Sequence, residues 1–103
     1  MAKARRAQAA ERDFENIGFQ IAVKDGRPEV ARRILQELAD ECDRLAGSTA
    51  IEAFGTPAPG IGTDVRLIAF RRWVILFRYQ HDGVMILRIA DGSQNYLKWK
   101  LGE

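Results

Sequence analysis

The chain is poor in the residues that build metal sites and disulfides, because it contains one cysteine, Cys42, and one histidine, His81. A single cysteine cannot form an internal disulfide or supply a cysteine-based zinc site by itself. No apolar run approaches the roughly 20 residues of a membrane-spanning helix, and no apolar stretch follows the N-terminal positive charge as in a signal peptide. We therefore expect a cytoplasmic protein with no membrane segment, no metal and no cofactor.

Glycine is concentrated in one segment, Ile51–Gly62, which also holds two of the three prolines. Neither GxGxxG nor GxxxxGK[ST] occurs there, so the glycines do not indicate a phosphate-binding loop. We interpret the segment as a connector without regular structure. At 103 residues the chain is long enough for one domain with a modest core, and we predict a single domain over residues 1–103.

Positive charge is unevenly distributed along the chain. Twelve of the sixteen basic residues are arginine, and residues 65–103 carry a net charge of +4, whereas residues 11–64 carry −5. Arginine makes forked contacts with carboxylates and phosphates. The C-terminal third therefore has the charge of a surface that meets an anionic partner.

Two helices are predicted in the N-terminal half, joined by a short link. The first runs from Gln8 to Asp25-Gly26, and the second from Pro28 to Gly47. Apolar residues recur at helical spacing in both, at Ala10, Phe14, Ile17 and Ile21, then at Ala31, Leu35, Leu38, Cys42 and Leu45. The short link predicts an antiparallel helical hairpin, with Cys42 packed inside it.

Three apolar runs follow the connector, Val65–Phe70, Trp73–Tyr79 and Val84–Ala90, and each contains one arginine. The short links at Arg71-Arg72 and Asp82-Gly83 predict antiparallel neighbours. The alternation in Ala2–Arg6 predicts an additional edge strand, whereas Ser93–Leu101 is either a short helix or a tail. The expected fold is α+β, with the hairpin on one face of a small antiparallel sheet.

Side chains alternate between the two faces of a sheet, so the predicted turns sort the strand residues into two sets. The first set is almost entirely aliphatic: Val65, Leu67, Ala69, Val74, Leu76, Arg78, Met85, Leu87 and Ile89. The second mixes aromatic rings with two arginines: Arg66, Ile68, Phe70, Trp73, Ile75, Phe77, Tyr79, Ile86 and Arg88. We expect the hairpin to cover the aliphatic set, which leaves the aromatic set open as a docking surface. Alternatively, Tyr96–Leu101 folds back and buries the aromatic set.

The residues for acid–base chemistry are scarce. Cleavage of RNA needs a base for the 2′-hydroxyl, an acid for the leaving oxygen and charge stabilisation. The residues that could serve the last role are Arg66, Arg88, Lys98, Lys100 and Tyr96. A general base is lacking, because His81 lies beside a predicted turn, where we expect a solvated side chain. No grouping of ligands suggests a metal site. The residues therefore favour binding over catalysis.

Four segments resemble the RelE/ParE superfamily of bacterial toxins from type II toxin–antitoxin modules, and the ParE branch in particular. AERDFENIGFQIA, DGRPEVARRILQEL and CDRLA are similar to the ParE helical hairpin. VRLIAFRRWVILFRYQHDGVMILRIADG is similar to that family's closing sheet, where three such strands follow without gaps. ParE relatives often read HGARD after the last strand, whereas this chain reads Asp91–Asn95 as DGSQN.

The resemblance implies a growth-inhibiting toxin that a cognate antitoxin neutralises in a hetero-oligomeric complex. ParE-like members are understood to bind DNA gyrase without bond-cleaving chemistry, so a non-enzymatic gyrase inhibitor is the first interpretation. RelE-like members cut mRNA on the ribosome; Arg66 and Arg88 match arginines of the corresponding strands, and Tyr96 loosely matches their C-terminal tyrosine. A member that only binds its antitoxin is a third interpretation. The expected antitoxin or target contacts are Arg66, Phe70, Trp73, Ile75, Phe77, Arg88 and Trp99.

Overall fold

Two helices pack on one five-stranded sheet in the computed structural model, which describes residues 2–48 and 53–101. The elements in chain order are β1 (Lys3–Arg6), α1 (Gln8–Phe19), α2 (Pro28–Ala46), β2 (Thr56–Pro57), β3 (Arg66–Phe70), β4 (Trp73–Gln80) and β5 (Gly83–Asp91). The predicted α+β class, with a helical hairpin and an N-terminal edge strand, is confirmed.

The helical hairpin has the predicted ends. α1 continues through a π-helical stretch, Gln20–Lys24, and the chain turns at Gly26, whose φ of 66° suits glycine. Pro28 opens α2 at its first turn, where a missing N–H costs no intrahelical hydrogen bond. Cys42 is buried in the packed face of α2, and burial raises the pKa of its thiol to about 12. Its predicted packing role is confirmed.

The strand order is β1-β5-β4-β3-β2, in which β1 runs parallel to β5 and the other neighbours are antiparallel. The parallel pairing places Lys3 opposite Gly83, and the two backbones approach closely. A Cβ atom at residue 83 would lie 1.9 Å from the Lys3 carbonyl oxygen, so this position requires glycine. The β4–β5 turn is His81-Asp82, one residue earlier than the predicted Asp82-Gly83.

The prediction that the Ile51–Gly62 connector lacks regular structure is wrong at β2. Thr56 lies opposite Leu67 and Pro57 opposite Arg66, which adds a short edge strand beside β3. A proline fits there because an edge strand can turn the position of its missing N–H toward solvent. The first two residues of the predicted connector lie outside the described residues.

The expectation that the hairpin covers the aliphatic set is also wrong, because the two faces are exchanged. Trp73, Ile75 and Phe77 are buried in one cluster with the apolar residues of both helices. The opposite face, around Val74 and Leu76, forms a second cluster. Both sets are apolar, and the larger rings are the ones that fill the space beneath the hairpin.

A bulge between Leu76 and Phe77 changes which β5 side chains share a face. Phe77 lies opposite Ile86, but Leu76 lies opposite Arg88, so the alternation slips by one residue. As a result Ile89 joins the cluster beneath the helices, and Arg88 lies opposite a residue of the other cluster. The predicted assignment of side chains to the two faces of the sheet is therefore wrong for this half of β5.

The C-terminal segment covers the face that the helices leave free. A 3₁₀ turn at Tyr96–Lys98 interrupts an otherwise irregular tail, and Tyr96, Trp99 and Leu101 pack on the second cluster. The Leu101 N–H donates to the Ile61 carbonyl at 2.8 Å and holds the end of the tail in place. The fold-back that was the alternative therefore occurs, but on the aliphatic face and not on the aromatic one.

Candidate functional site

The arginines of β3 and β4 fasten loops to the sheet. Arg66 donates from Nε to the Phe54 carbonyl and from Nη2 to the Gly55 carbonyl, both at 2.9 Å. Arg78 donates from Nε to the Thr63 carbonyl at 3.0 Å. A partly buried guanidinium needs hydrogen-bond acceptors. For Arg66 and Arg78 these acceptors are main-chain carbonyl oxygens of the same chain. Arg66 and Arg78 are therefore both engaged by loops of the same chain.

Arg88 is held between α1 and the tail. Its Nε and Nη2 donate to the two carboxylate oxygens of Asp13 at 2.8 and 3.1 Å, and its guanidinium lies 4.3 Å from the Trp99 ring centre. The hydrogen bond to Asp13 raises the pKa of Arg88 above its usual value. Asp13 also accepts the Ile89 N–H at 2.8 Å. One carboxylate thus joins the helix, the strand and, through Arg88, the tail.

Asp13 occupies this place because β1 is short. β1 ends at Arg6, opposite Ile86, so β5 has no neighbouring strand beyond that point on this side. α1 packs along this unpaired edge of β5, and its second turn places the Asp13 carboxylate at the Ile89 N–H. The side chain replaces the hydrogen bond that a longer strand would have made.

The turn after β5 is organised by a second carboxylate, that of Asp91. It accepts from Arg72 Nη2 at 2.7 Å, and from the Ser93 N–H and Oγ at 2.9 and 2.7 Å. These donors lower the pKa of Asp91 to about 2. The Asp91 N–H donates in turn to Gln94 Oε1 at 2.8 Å, which caps the end of β5.

Folding stability should depend on the charge of Asp91. Because its folded-state pKa of about 2 lies below the ordinary 3.8, the folded protein favours the ionised form. The stabilisation is complete above about pH 4 and is lost as the pH falls toward 2. We expect Asp91→Asn to be less stable than the parent at pH 7, with a gap that narrows below pH 4. Urea unfolding across this range measures it, and a constant gap would contradict the role given to charge.

A groove of about 490 Å³ lies between these two carboxylate sites, along the open half of β5. We call it the β5 groove; its lining is Asp13, Asn16, Ile17, Gln20, Ile21, Asp25, Arg72, Trp73, Arg88, Ile89, Asp91 and Gln94. Asp13–Arg88 and Asp91–Arg72 are ion pairs, whereas Asp25 has no ion-pair partner among the described residues. The groove is therefore lined mainly by polar and charged side chains, with Ile17, Ile21, Trp73 and Ile89 as its apolar part.

Two large apolar side chains stand exposed on the helix that forms one wall of the β5 groove. Phe19 is 53% exposed and Val23 is 62% exposed, and the two are four residues apart. That spacing places them as neighbours on the helix surface. Exposed apolar neighbours beside a groove are typical of an interaction surface.

The predicted contact residues have different positions. Ile75 and Phe77 are fully buried beneath the helices and are removed from the candidate surface. Trp73 is mostly buried but reaches the lining of the β5 groove, as does Arg88. Phe70 is half-buried and packs on the cluster beneath the helices.

The tail residues Tyr96 and Trp99 are half-buried, and both pack on the opposite side of the sheet from the helices. The binding roles given to Arg66, Phe70, Trp73, Arg88 and Trp99 stay predictions.

Sequence reasoning missed most of the polar residues of the β5 groove, among them Asp13, Arg72 and Gln94. Asp13 lies on the polar face of the predicted first helix, and Arg72 was interpreted only as part of a turn. An arginine on a strand whose neighbours are apolar does signal a partner acid, but it does not say where in the chain that acid lies.

The histidine of the chain, His81, does not line the β5 groove. The His81 side chain is 94% exposed in its turn, as predicted. Within residues 2–48 and 53–101 no polar or charged residue is buried, and no three His, Cys, Asp or Glu side chains converge as metal ligands. In the same part of the chain, no helix combines the length and the apolar character needed to cross a membrane.

The fold is that of a known structure titled "Chromosomal ParDE TA system from P. aeruginosa". The match has a TM-score of 0.73 at 24% sequence identity and covers 88% of this chain and 96% of that one. No curated protein sequence gives a significant match. The fold therefore places the chain in the class of small α+β domains represented by that system.

The family follows from the sequence. The model described as "ParE toxin of type II toxin-antitoxin system, parDE" matches residues 5–96, which is most of the chain. The protein belongs to the ParE toxin family of type II toxin–antitoxin systems. The match includes both helices, β3, β4 and β5, and hence most of the β5 groove.

Proposed function

We propose that this ParE-family protein arrests growth in the cytoplasm by binding DNA gyrase, and that a cognate antitoxin neutralises it in a hetero-oligomeric complex. The observation that carries the proposal is the family match over residues 5–96. Gyrase as the target is what the resemblance of the sequence to the ParE branch implies.

Binding without bond cleavage is supported by the partners of the charged groups. Arg66 and Arg88, the residues that match arginines of ribonuclease relatives, are engaged by loop carbonyls and by Asp13. Tyr96 packs on the aliphatic face, in the tail that crosses the sheet. A scissile phosphate would have to displace these contacts before the side chains acted on it.

The β5 groove with Phe19 and Val23 is the surface we assign to the target. Its walls are helix and strand, its lining combines Ile17, Ile21 and Ile89 with polar side chains, and Asp25 and the exposed Arg72 add charges. Apolar anchors surrounded by polar groups are the usual composition of a protein-binding site.

The target is tested by incubating the purified chain with gyrase and plasmid DNA, and separately with translating ribosomes. Trapped DNA breaks in the first reaction are expected, with intact mRNA in the second. Cleavage of mRNA in the ribosomal A site would support the ribonuclease interpretation instead. Absence of both, together with normal growth on expression of the chain alone, would support a member that only binds its antitoxin.

The assigned surface is tested by Val23→Ser, with Leu97→Ser as the matched control. Both side chains are 62% exposed, so neither change should alter folding by more than about 0.5 kcal/mol. We expect a loss of gyrase inhibition of about tenfold for Val23→Ser, as removing an interface anchor costs about 1–2 kcal/mol. Equal activity of the two variants would remove the exposed pair Phe19 and Val23 from the proposed surface.

A further inference from the structure

The sheet has open strand edges at several places, and most of them are protected. Along the open half of β5, Asp13 accepts the Ile89 N–H and Gln94 accepts the Asp91 N–H. At the opposite end of the sheet, the edge strand β2 has two residues, one of them Pro57. Short strands, proline and capping side chains all prevent a further strand from adding.

β1 lacks this protection. The Lys3 N–H donates to the Asp82 carbonyl at 2.8 Å and the Ala7 N–H to the Ile86 carbonyl at 2.9 Å, so residues 3, 5 and 7 face β5. Since alternate residues of a strand point their main-chain groups to opposite sides, Ala4 and Arg6 face outward. No hydrogen bond joins the outward main-chain groups of Ala4 or Arg6 to the rest of the described chain.

The charge of β1 restricts what can pair with it. Lys3, Arg5 and Arg6 follow one another around Ala4, and no acid lies within the strand. Arg5 is paired with Asp82 at 2.7 Å, whereas Lys3 has no ion-pair partner among the described residues. Like charges directly opposite each other destabilise a strand pair, so a second copy of β1 is a poor partner. An acidic extended segment is a good one.

A cavity beside β1 favours apolar side chains in a segment that pairs with this strand. The cavity has a volume of about 400 Å³, and its lining is Arg6, Glu11, Phe14, Glu15, Arg32, Leu35 and Gln36. The Arg6 guanidinium covers the ring of the buried Phe14 at 3.8 Å from its centre, so the half-buried Leu35 is the apolar side chain that the cavity leaves accessible. Ala4 packs on the cluster beneath the helices, so the β1 face that Ala4 and Arg6 share is the face next to this cavity.

We propose that β1 receives an extended segment of the antitoxin, which pairs with the outward main-chain groups of Ala4 and Arg6. Along that segment, acidic residues alternate with apolar ones. The acids face Lys3 and Arg5 on one side of the sheet, and the apolar residues face the cavity at Phe14 and Leu35 on the other. This inference rests on the proposed function, because the partner it names is the antitoxin.

The test uses the full-length chain and the protein encoded by the reading frame next to its gene as the antitoxin. Ala4→Pro removes one outward N–H and leaves the bonds to β5 intact, since those belong to the neighbouring residues. Ala2→Pro is the matched control, because residue 2 precedes the strand. Calorimetry should show affinity weakened about 10- to 100-fold for Ala4→Pro and unchanged for Ala2→Pro.

Two further measurements do not depend on the proline variant. Lys3→Glu, at an exposed position, should weaken the complex at low salt and much less at high salt. Hydrogen exchange on the parent complex should show the Ala4 and Arg6 amides protected only when the antitoxin is bound.

The outcomes distinguish the pairing of a strand with β1 from the binding of the antitoxin itself. A tight complex with unchanged exchange at Ala4 and unchanged affinity for Ala4→Pro would overturn the pairing at β1 while leaving the antitoxin in place. Failure of the two proteins to associate at all would overturn both. Protection at Ala4 and Arg6, with the selective loss in Ala4→Pro, would establish the edge as the site.

Discussion

Phe77→Ala is expected to lower the free energy of unfolding by about 3–5 kcal/mol, the usual cost of removing a buried aromatic ring. Phe77 is completely buried between the sheet and the helices, and its ring meets that of Tyr79 edge to face at 5.5 Å. The alanine would leave a cavity that the rigid hairpin cannot close. Chemical denaturation of the variant measures the loss.

Leu97→Ala provides the matched control for Phe77→Ala. Leu97 is 62% exposed, so its truncation should change stability by no more than about 0.5 kcal/mol. If the two variants were equally stable, Phe77 would lie on an open face, and the helices would cover the aliphatic side of the sheet instead.

Asp13→Ala is expected to lower the free energy of unfolding by about 2–4 kcal/mol, since it leaves a half-buried cation and a strand N–H without an acceptor. The carboxylate serves both Arg88 and the Ile89 N–H, and Arg88 in turn stacks on Trp99. The variant should therefore also loosen the tail. Faster amide exchange at Leu101, whose N–H donates to Ile61, would report that loosening.

Two companion variants isolate the role of Asp13. Glu15→Ala changes an exposed acid on the same helix and should be nearly neutral. In a double-mutant cycle, Arg88→Ala combined with Asp13→Ala should cost less than the sum of the two single changes, because each removes the other's partner. Strict additivity would contradict the coupling between α1 and β5.

The chain has two candidate binding surfaces, the outer edge of β1 and the β5 groove. We expect each to bind its partner independently of the other. β1 offers main-chain hydrogen-bonding groups, whereas the β5 groove offers side chains, most of them polar. Variants at Ala4 and at Val23 are therefore expected to impair different interactions. A single variant that abolished both without unfolding the chain would argue that the two partners share one surface.

Local patterns predicted the elements of this protein well. The repeat of Ala10, Phe14, Ile17 and Ile21 indicated α1, and Pro28 with Gly47 marked the ends of α2. These signals depend on the 3.6-residue period of a helix and on the chemistry of its ends, both of which operate within a few residues. Apolar runs joined by short links predicted β3, β4 and β5, and alternation predicted the edge strand β1.

The sequence by itself determined the order of the two helices and of β1, β3, β4 and β5, and the burial of Cys42, because each follows from neighbours close along the chain. The tertiary structure alone decided which face of the sheet the hairpin covers, since both faces are apolar and burial beneath the helices would stabilise either one. It also decided the partners of the strand arginines. Asp13 and Arg88 are 75 residues apart, and the bulge at Leu76/Phe77 that redirects Arg88 depends on the register with β5. Such contacts arise from packing of distant segments, on which local periodicity carries no information.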